Sequence, residues 1–103
     1  MTTSPKDYEI QKGVLRVHRQ ALHDRDLLFD EACSELLDAP ERNLVIDLSV
    51  STYINSTYIG ILAATFFQAD ARRKKLRLRA SPEIAQALRL AGFEKFVPIE
   101  EVA

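Results

Sequence analysis

Glycine is scarce in this 103-residue chain, and the three present, Gly13, Gly60 and Gly92, stand far apart. Neither a phosphate-cradling loop nor a dinucleotide-binding fingerprint can be assembled from them. A single cysteine, Cys33, excludes an internal disulfide, and its place in a helical apolar pattern makes it a small core residue rather than a nucleophile. The two histidines, His18 and His23, come without a partnering Cys or His cluster and offer no metal-ligand set. No apolar run is long enough for a membrane span, and the polar start Met1 to Pro5 is not a signal-peptide core behind a basic start. The expectation is a cytoplasmic chain without membrane insertion. Charge of one sign is lacking too: 14 basic against 15 acidic residues leave a net charge of -1. No global field favours nucleic acid or an anionic membrane, so any charge signal is local. No residue pair makes a convincing catalytic arrangement, and the chain is read as a non-enzyme without cofactor.

With 47% apolar and 28% charged residues, residues 1–103 are expected to form one domain with one core. Tyr8 to Ile10 and Val14 to His18 are strand-like runs around Lys12-Gly13, which predicts a hairpin. Phe29, Cys33, Leu36 and Leu37 fall on one face of a helix over Asp26 to Leu37, with Asp24 or Asp26 as cap and Pro40 beyond its end. Leu44 to Leu48, apolar apart from Asp47, reads as a central strand buried on both sides. Leu76, Leu78 and Ala80 alternate with Arg77 and Arg79 in a half-wet strand. Ser81-Pro82-Glu83 opens a last helix whose face is Ile84, Ala87, Leu88 and Ala91, and Gly92 stops it. Phe96 to Ile99 offers a final strand. The alternation implies right-handed crossovers and an α/β architecture: a mixed, mostly parallel sheet with helices packed on it.

The richest stretch is Leu44 to Phe67, where a strand runs through a short polar turn straight into an apolar helix. Asn55, Ser56 and Thr57 stand at the helix entrance, where first-turn amides and the helix dipole accommodate an anion. Two readings are open for Ser56: a helix cap, or a hydroxyl presented for phosphorylation.

LVIDLS at Leu44 to Ser49, YINSTYIG at Tyr53 to Gly60 and SPEIAQALRLAGFEKFVPI at Ser81 to Ile99 together resemble the STAS domain of stand-alone bacterial anti-sigma factor antagonists, over about Tyr8 to Ile99. The resemblance implies the STAS fold, with four to five strands. It also implies partner switching: the unphosphorylated form captures an anti-sigma factor serine kinase, the kinase phosphorylates the serine, and a serine phosphatase restores it. The matching serine is Ser56, with Thr57 as second choice, framed by Asp47, Asn55 and Thr57. Two residues depart from the family pattern. Asn55 stands where the family has aspartate, removing a charge beside the hydroxyl, and Tyr58 stands where it has glycine. The alternative function is a constitutive STAS scaffold or accessory subunit, transporter-associated or stressosome-like, without a phospho-switch.

On the helix after the turn, Ile59, Leu62, Ala63 and Phe66 form the stripe expected to face the sheet, while Tyr58, Ile61 and Phe67 are apolar off it. A second buried face follows, either under the last helix through Ile84, Leu88 and Leu90 or against a partner. Tyr58 and Ile61, next to Ser56, are the partner-binding candidates, with the Tyr58 ring expected at the surface. Arg72, Arg73, Lys74, Lys75, Arg77 and Arg79 have no aromatic among them to stack a base, so they read as a solvated face near a helix end and no nucleic-acid partner is expected.

Overall fold

The computed structural model describes residues 7–102, so the polar start Met1 to Pro5 lies outside the described residues. Strands β1 (Tyr8–Gln11) and β2 (Val14–Val17) form the antiparallel hairpin. Its central residues Lys12 and Gly13 have φ of 54° and 79°, the pair of positive values that a type I′ turn requires. There follow β3 (Ala21–Leu22), α1 (Asp26–Leu37), β4 (Asn43–Leu48), β5 (Tyr53–Ile54), α2 (Ser56–Ala71), β6 (Lys75–Ala80), α3 (Pro82–Leu90), a 3₁₀ turn (Phe93–Lys95) and β7 (Ile99–Glu101). Five strands make one sheet in the order β1-β2-β4-β6-β7, parallel except for the hairpin, and β3 pairs with β5 in a second, two-stranded parallel ribbon. That ribbon is too short to leave a period in the sequence.

The buried apolar residues of the five-stranded sheet all lie on one face: Leu15 and Val17 on β2, Leu44, Ile46 and Leu48 on β4, and Leu76, Leu78 and Ala80 on β6. Phe29, Leu36, Leu62, Ile84 and Leu88 from the helices join them in one core. The register sets Glu9, Arg16, Asp47, Arg79 and Glu100 abreast on the opposite face, one residue per strand and alternating in sign. This corrects the reading of β4 as buried on both sides. Helices cover one face only, and Asp47 is shielded on the other by Arg16 and Arg79, at 4.0 and 3.4 Å, whose stems lie over the sheet.

Several local expectations also shift. The N-cap of α1 is Arg25, in the left-handed region with no side-chain bond, because the Asp24 carboxylate is drawn to Arg19 instead. The buried stripe of α2 is Tyr58, Leu62, Thr65 and Ala69, with Ile59, Ala63 and Phe66 only partly buried at its flank. A ring at position 58 that enters the core turns the helix face by one residue. The helix packed alongside α2 is α1, and Leu90 and Ala91 of the expected α3 face are exposed. The last strand starts at Ile99 rather than Phe96, since Gly92 at φ 82° leads into the 3₁₀ turn, with Phe93 and Val97 plugging the core. Arg72 and Lys74 serve α1 rather than α2: each donates to the Leu37 carbonyl at 2.9 Å, satisfying the C-terminal end of that helix. Cys33 is buried, and burial pushes its thiol up to about 12, which leaves it inert.

Candidate functional site

The turn into α2 lies beyond the carboxyl ends of the parallel strands, the place where open α/β sheets present their sites. Two buried serines knit the loops there. Ser51 Oγ donates to the Arg19 carbonyl at 2.6 Å, and Ser81 Oγ donates to the Ser51 carbonyl at 2.5 Å while accepting from Ile84 N–H to cap α3. On this support Asn55, in extended conformation, is the N-cap of α2. Its Oδ1 accepts from Tyr58 N–H at 3.0 Å, its Nδ2 donates to the His23 carbonyl at 3.2 Å, and its backbone N–H donates to the Leu22 carbonyl.

Asn55 therefore does the capping that was one of the two readings for Ser56. Ser56 and Thr57 are exposed in the first turn, and among the described residues the Ser56 hydroxyl has no hydrogen-bond partner. That first turn contains no acid, so its free amides and positive dipole end are uncompensated. A phosphate on Ser56 would meet donors rather than like charge.

Tyr58 corrects the expectation of a surface ring, for it is fully buried. The ring packs on Phe29 with centroids 4.8 Å apart, and its hydroxyl donates to the Asp24 carbonyl. The same oxygen accepts from Arg19 Nη1 at 2.9 Å and lies 3.2 Å from the Tyr8 hydroxyl. Arg19, only 14% exposed, also pairs with Asp24 and lies 3.8 Å from Asp7. Where the family pattern has glycine, this chain thus carries a pin joining α2 to β1 and to the 19–25 loop. Among the described residues no hydrogen bond joins Asp47 to Ser56. Its Oδ1 accepts from Ser49 N–H at 2.9 Å, steadying the start of the loop after β4, and its other oxygen belongs to the charged row across the sheet. Ile61 is half-buried. The exposed apolar side chains in the loop leading to Ser56 are Val50 and Tyr53, 54% and 53% accessible. The sequence signal for Tyr53 is its alternation with buried Ile54 just before the cap, and Val50 carries none.

Electrostatics follow from this wiring. Arg19 holds the Asp24 carboxyl below its ordinary range. Burial, reinforced by the Tyr8 hydroxyl, pushes the Tyr58 phenol above its usual value. The folded protein keeps that proton where the unfolded chain, with a tyrosine pKa of about 10, releases it, so stability falls as pH rises past about 10. Tyr58→Phe is expected to flatten this decline in melting temperature; equal alkaline slopes for the two proteins would place the ionisation elsewhere.

A sequence model of the family described as Mlab, STAS domain matches residues 6–99. The chain belongs to the STAS domain family. A solved structure of a Thermotoga maritima protein, described as a candidate anti-sigma factor antagonist, superposes on this STAS domain with a TM-score of 0.67. It covers 92% of this chain and 85% of its own at 15% identity, a likeness of fold. Among curated proteins none matches the sequence. Among the described residues, no three His, Cys, Asp or Glu side chains gather as a metal-ligand set, and no helix is long and apolar enough to cross a membrane.

Proposed function

We propose that this STAS domain is a non-catalytic cytoplasmic regulator of transcription, an anti-sigma factor antagonist that works by partner switching under reversible phosphorylation of Ser56. In this reading an anti-sigma factor serine kinase docks on the turn into α2 when Ser56 is free and transfers phosphate to it, and a serine phosphatase resets it. The supporting observation is the division of labour at the turn: Asn55 satisfies the helix end, and Ser56 Oγ is left exposed with no hydrogen bond to break among the described residues. Thr57, exposed beside it, is the second acceptor. Ile61 and the exposed Tyr53 border the docking surface, while Tyr58 holds it from beneath.

A second reading, a constitutive scaffold or accessory subunit, draws on the Tyr58 pin, which fastens the first turn to the 19–25 loop without any phosphate. Intact mass and fragment mapping of the protein from its native cells separate the two. A single phosphate on Ser56 in part of the population is expected for the switch. Phosphate on neither Ser56 nor Thr57 across growth conditions would give the scaffold reading first place.

A further inference from the structure

The amino ends of the parallel strands, opposite the turn into α2, gather cations that are scattered in sequence. Lys12 lies in the β1–β2 turn, Arg42 just before β4, Arg73 in the α2–β6 turn, and Lys75 and Arg77 on the open face of β6. The folding bonds bring them together: Val45 N–H donates to the Gly13 carbonyl, Lys75 N–H donates to the Arg42 carbonyl, and the register sets Val14, Val45 and Arg77 abreast. All five are exposed, and among the described residues none lies within ion-pair distance of a carboxylate. Of the acids at this end, Asp38 is engaged by Arg72 and Glu41 is packed against Gly13, its Oε1 shut away from water; Glu35 in the last turn of α1 and Asp70 near the end of α2 are exposed, so among the described residues the five unpaired cations still outnumber the exposed unpaired acids. Lys12 and Arg73 hold φ of 54° and 59°, positions where glycine sits without strain and a long side chain does not. Cations are thus carried at two turns whose local conformation disfavours them.

We infer that this end is a peripheral binding surface for an anionic lipid bilayer. The cations spread in two dimensions across neighbouring strands about 4.8 Å apart, with half-buried Val14 and Val45 between them. The cavity between β1 and α1 and the one lined by Phe66, Phe67 and Phe96 both lie away from these five. No aromatic lies among them to stack a base, which disfavours single-stranded nucleic acid. A cationic array spread over several elements suits headgroups that diffuse to meet each charge, whereas an acidic protein must offer carboxylates at fixed spacing. Exposed large apolar side chains are absent from the patch, so attachment is electrostatic and reversed by salt. It also points Ser56, at the other end of the strands, toward solution.

The test is co-sedimentation of the full chain with phosphatidylcholine vesicles, with and without phosphatidylglycerol, at low and high salt. Binding is expected only to the anionic vesicles and to fall with salt. At about fivefold per cation near the surface, Lys12→Gly with Arg73→Gly should lower it by roughly 25-fold while the protein folds as its parent does, since glycine fits both turns. Lys75→Glu with Arg77→Glu should lower it by about a hundredfold or more. Ser56→Asp should leave it unchanged, which keeps this inference separable from the phospho-switch. No pelleting at low salt, equal pelleting with neutral vesicles, unchanged binding of the glycine variant, or tighter capture of duplex DNA or an acidic polypeptide than of the anionic vesicles would overturn it.

Discussion

Tyr58→Ala is expected to destabilise the protein by about 3 to 5 kcal/mol, the range for removing a large buried aromatic side chain. The ring fills the space against Phe29, and its hydroxyl satisfies the Asp24 carbonyl and one Arg19 donor. Deletion leaves a cavity and removes the hydroxyl's hydrogen bonds; the Asp24 carbonyl keeps Arg19 Nη1 as a donor at 3.0 Å, so the cavity is the larger cost. At roughly 4 to 8 °C per kcal/mol for a domain of this size, the melting temperature should fall by more than about 10 °C. Tyr58→Phe keeps the packing and loses only the hydrogen bonds, so about 1 to 3 kcal/mol is expected. Thermal and urea melts of the three proteins decide it. A change of a degree or two for the alanine variant would mean that the ring is not the pin that the geometry shows.

Ser56→Asp is expected to weaken capture of the partner kinase by at least about tenfold, through like charge or desolvation at the centre of the contact. The melting temperature should hold or rise, because an acid in the first turn of a helix that has none there contributes about 0.3 to 1 kcal/mol. Ser56→Ala should bind as wild type and melt as wild type, since no cap bond is lost. Asn55→Ala should show the reverse pattern, a loss of about 0.5 to 2 kcal/mol from the missing cap. Isothermal titration with the kinase and thermal melts on the same samples read both quantities. If Ser56→Asp binds as tightly as wild type, the phospho-switch fails whatever the vesicles show; if Ser56→Ala melts like Asn55→Ala, the hydroxyl is structural after all.

The hairpin, the three helices, the core face of β6 and the family itself were legible before any coordinates. Each rests on a local signal: a 3.6 or 2.0 period, an N-cap serine followed by proline, a glycine stop, or the run YINSTYIG. The place of Ser56 at the entrance of α2 was legible for the same reason, since a polar turn between a strand and an apolar helix marks the helix start from sequence alone. Its partners were not. Whether Asn55 or Ser56 caps the helix depends on a single side-chain rotamer, and both residue types are good caps.

Position 58 shows where local pattern stops. A tyrosine in the first helical turn, off the apolar stripe, carries the same signal whether it meets solvent or Phe29, and only the packing of α1 beside α2 opened the slot that takes it. Its polar partners come from Tyr8, Arg19 and Asp24, 34 to 50 positions away in the chain, a separation that no periodicity encodes. Asp47 is similar. Its type and strand followed from sequence, but its counter-ions Arg16 and Arg79 are neighbours only through the register of a sheet whose strand order skips along the chain. The same register gathers Lys12, Arg42, Arg73, Lys75 and Arg77 at one end of the molecule. Sequence by itself determined which segments are helix, strand or turn, because those choices are made by neighbours within one or two turns of chain. Which polar and charged side chains meet was decided by the tertiary structure, because long-range pairing, strand order and the one-sided covering of the sheet set those distances.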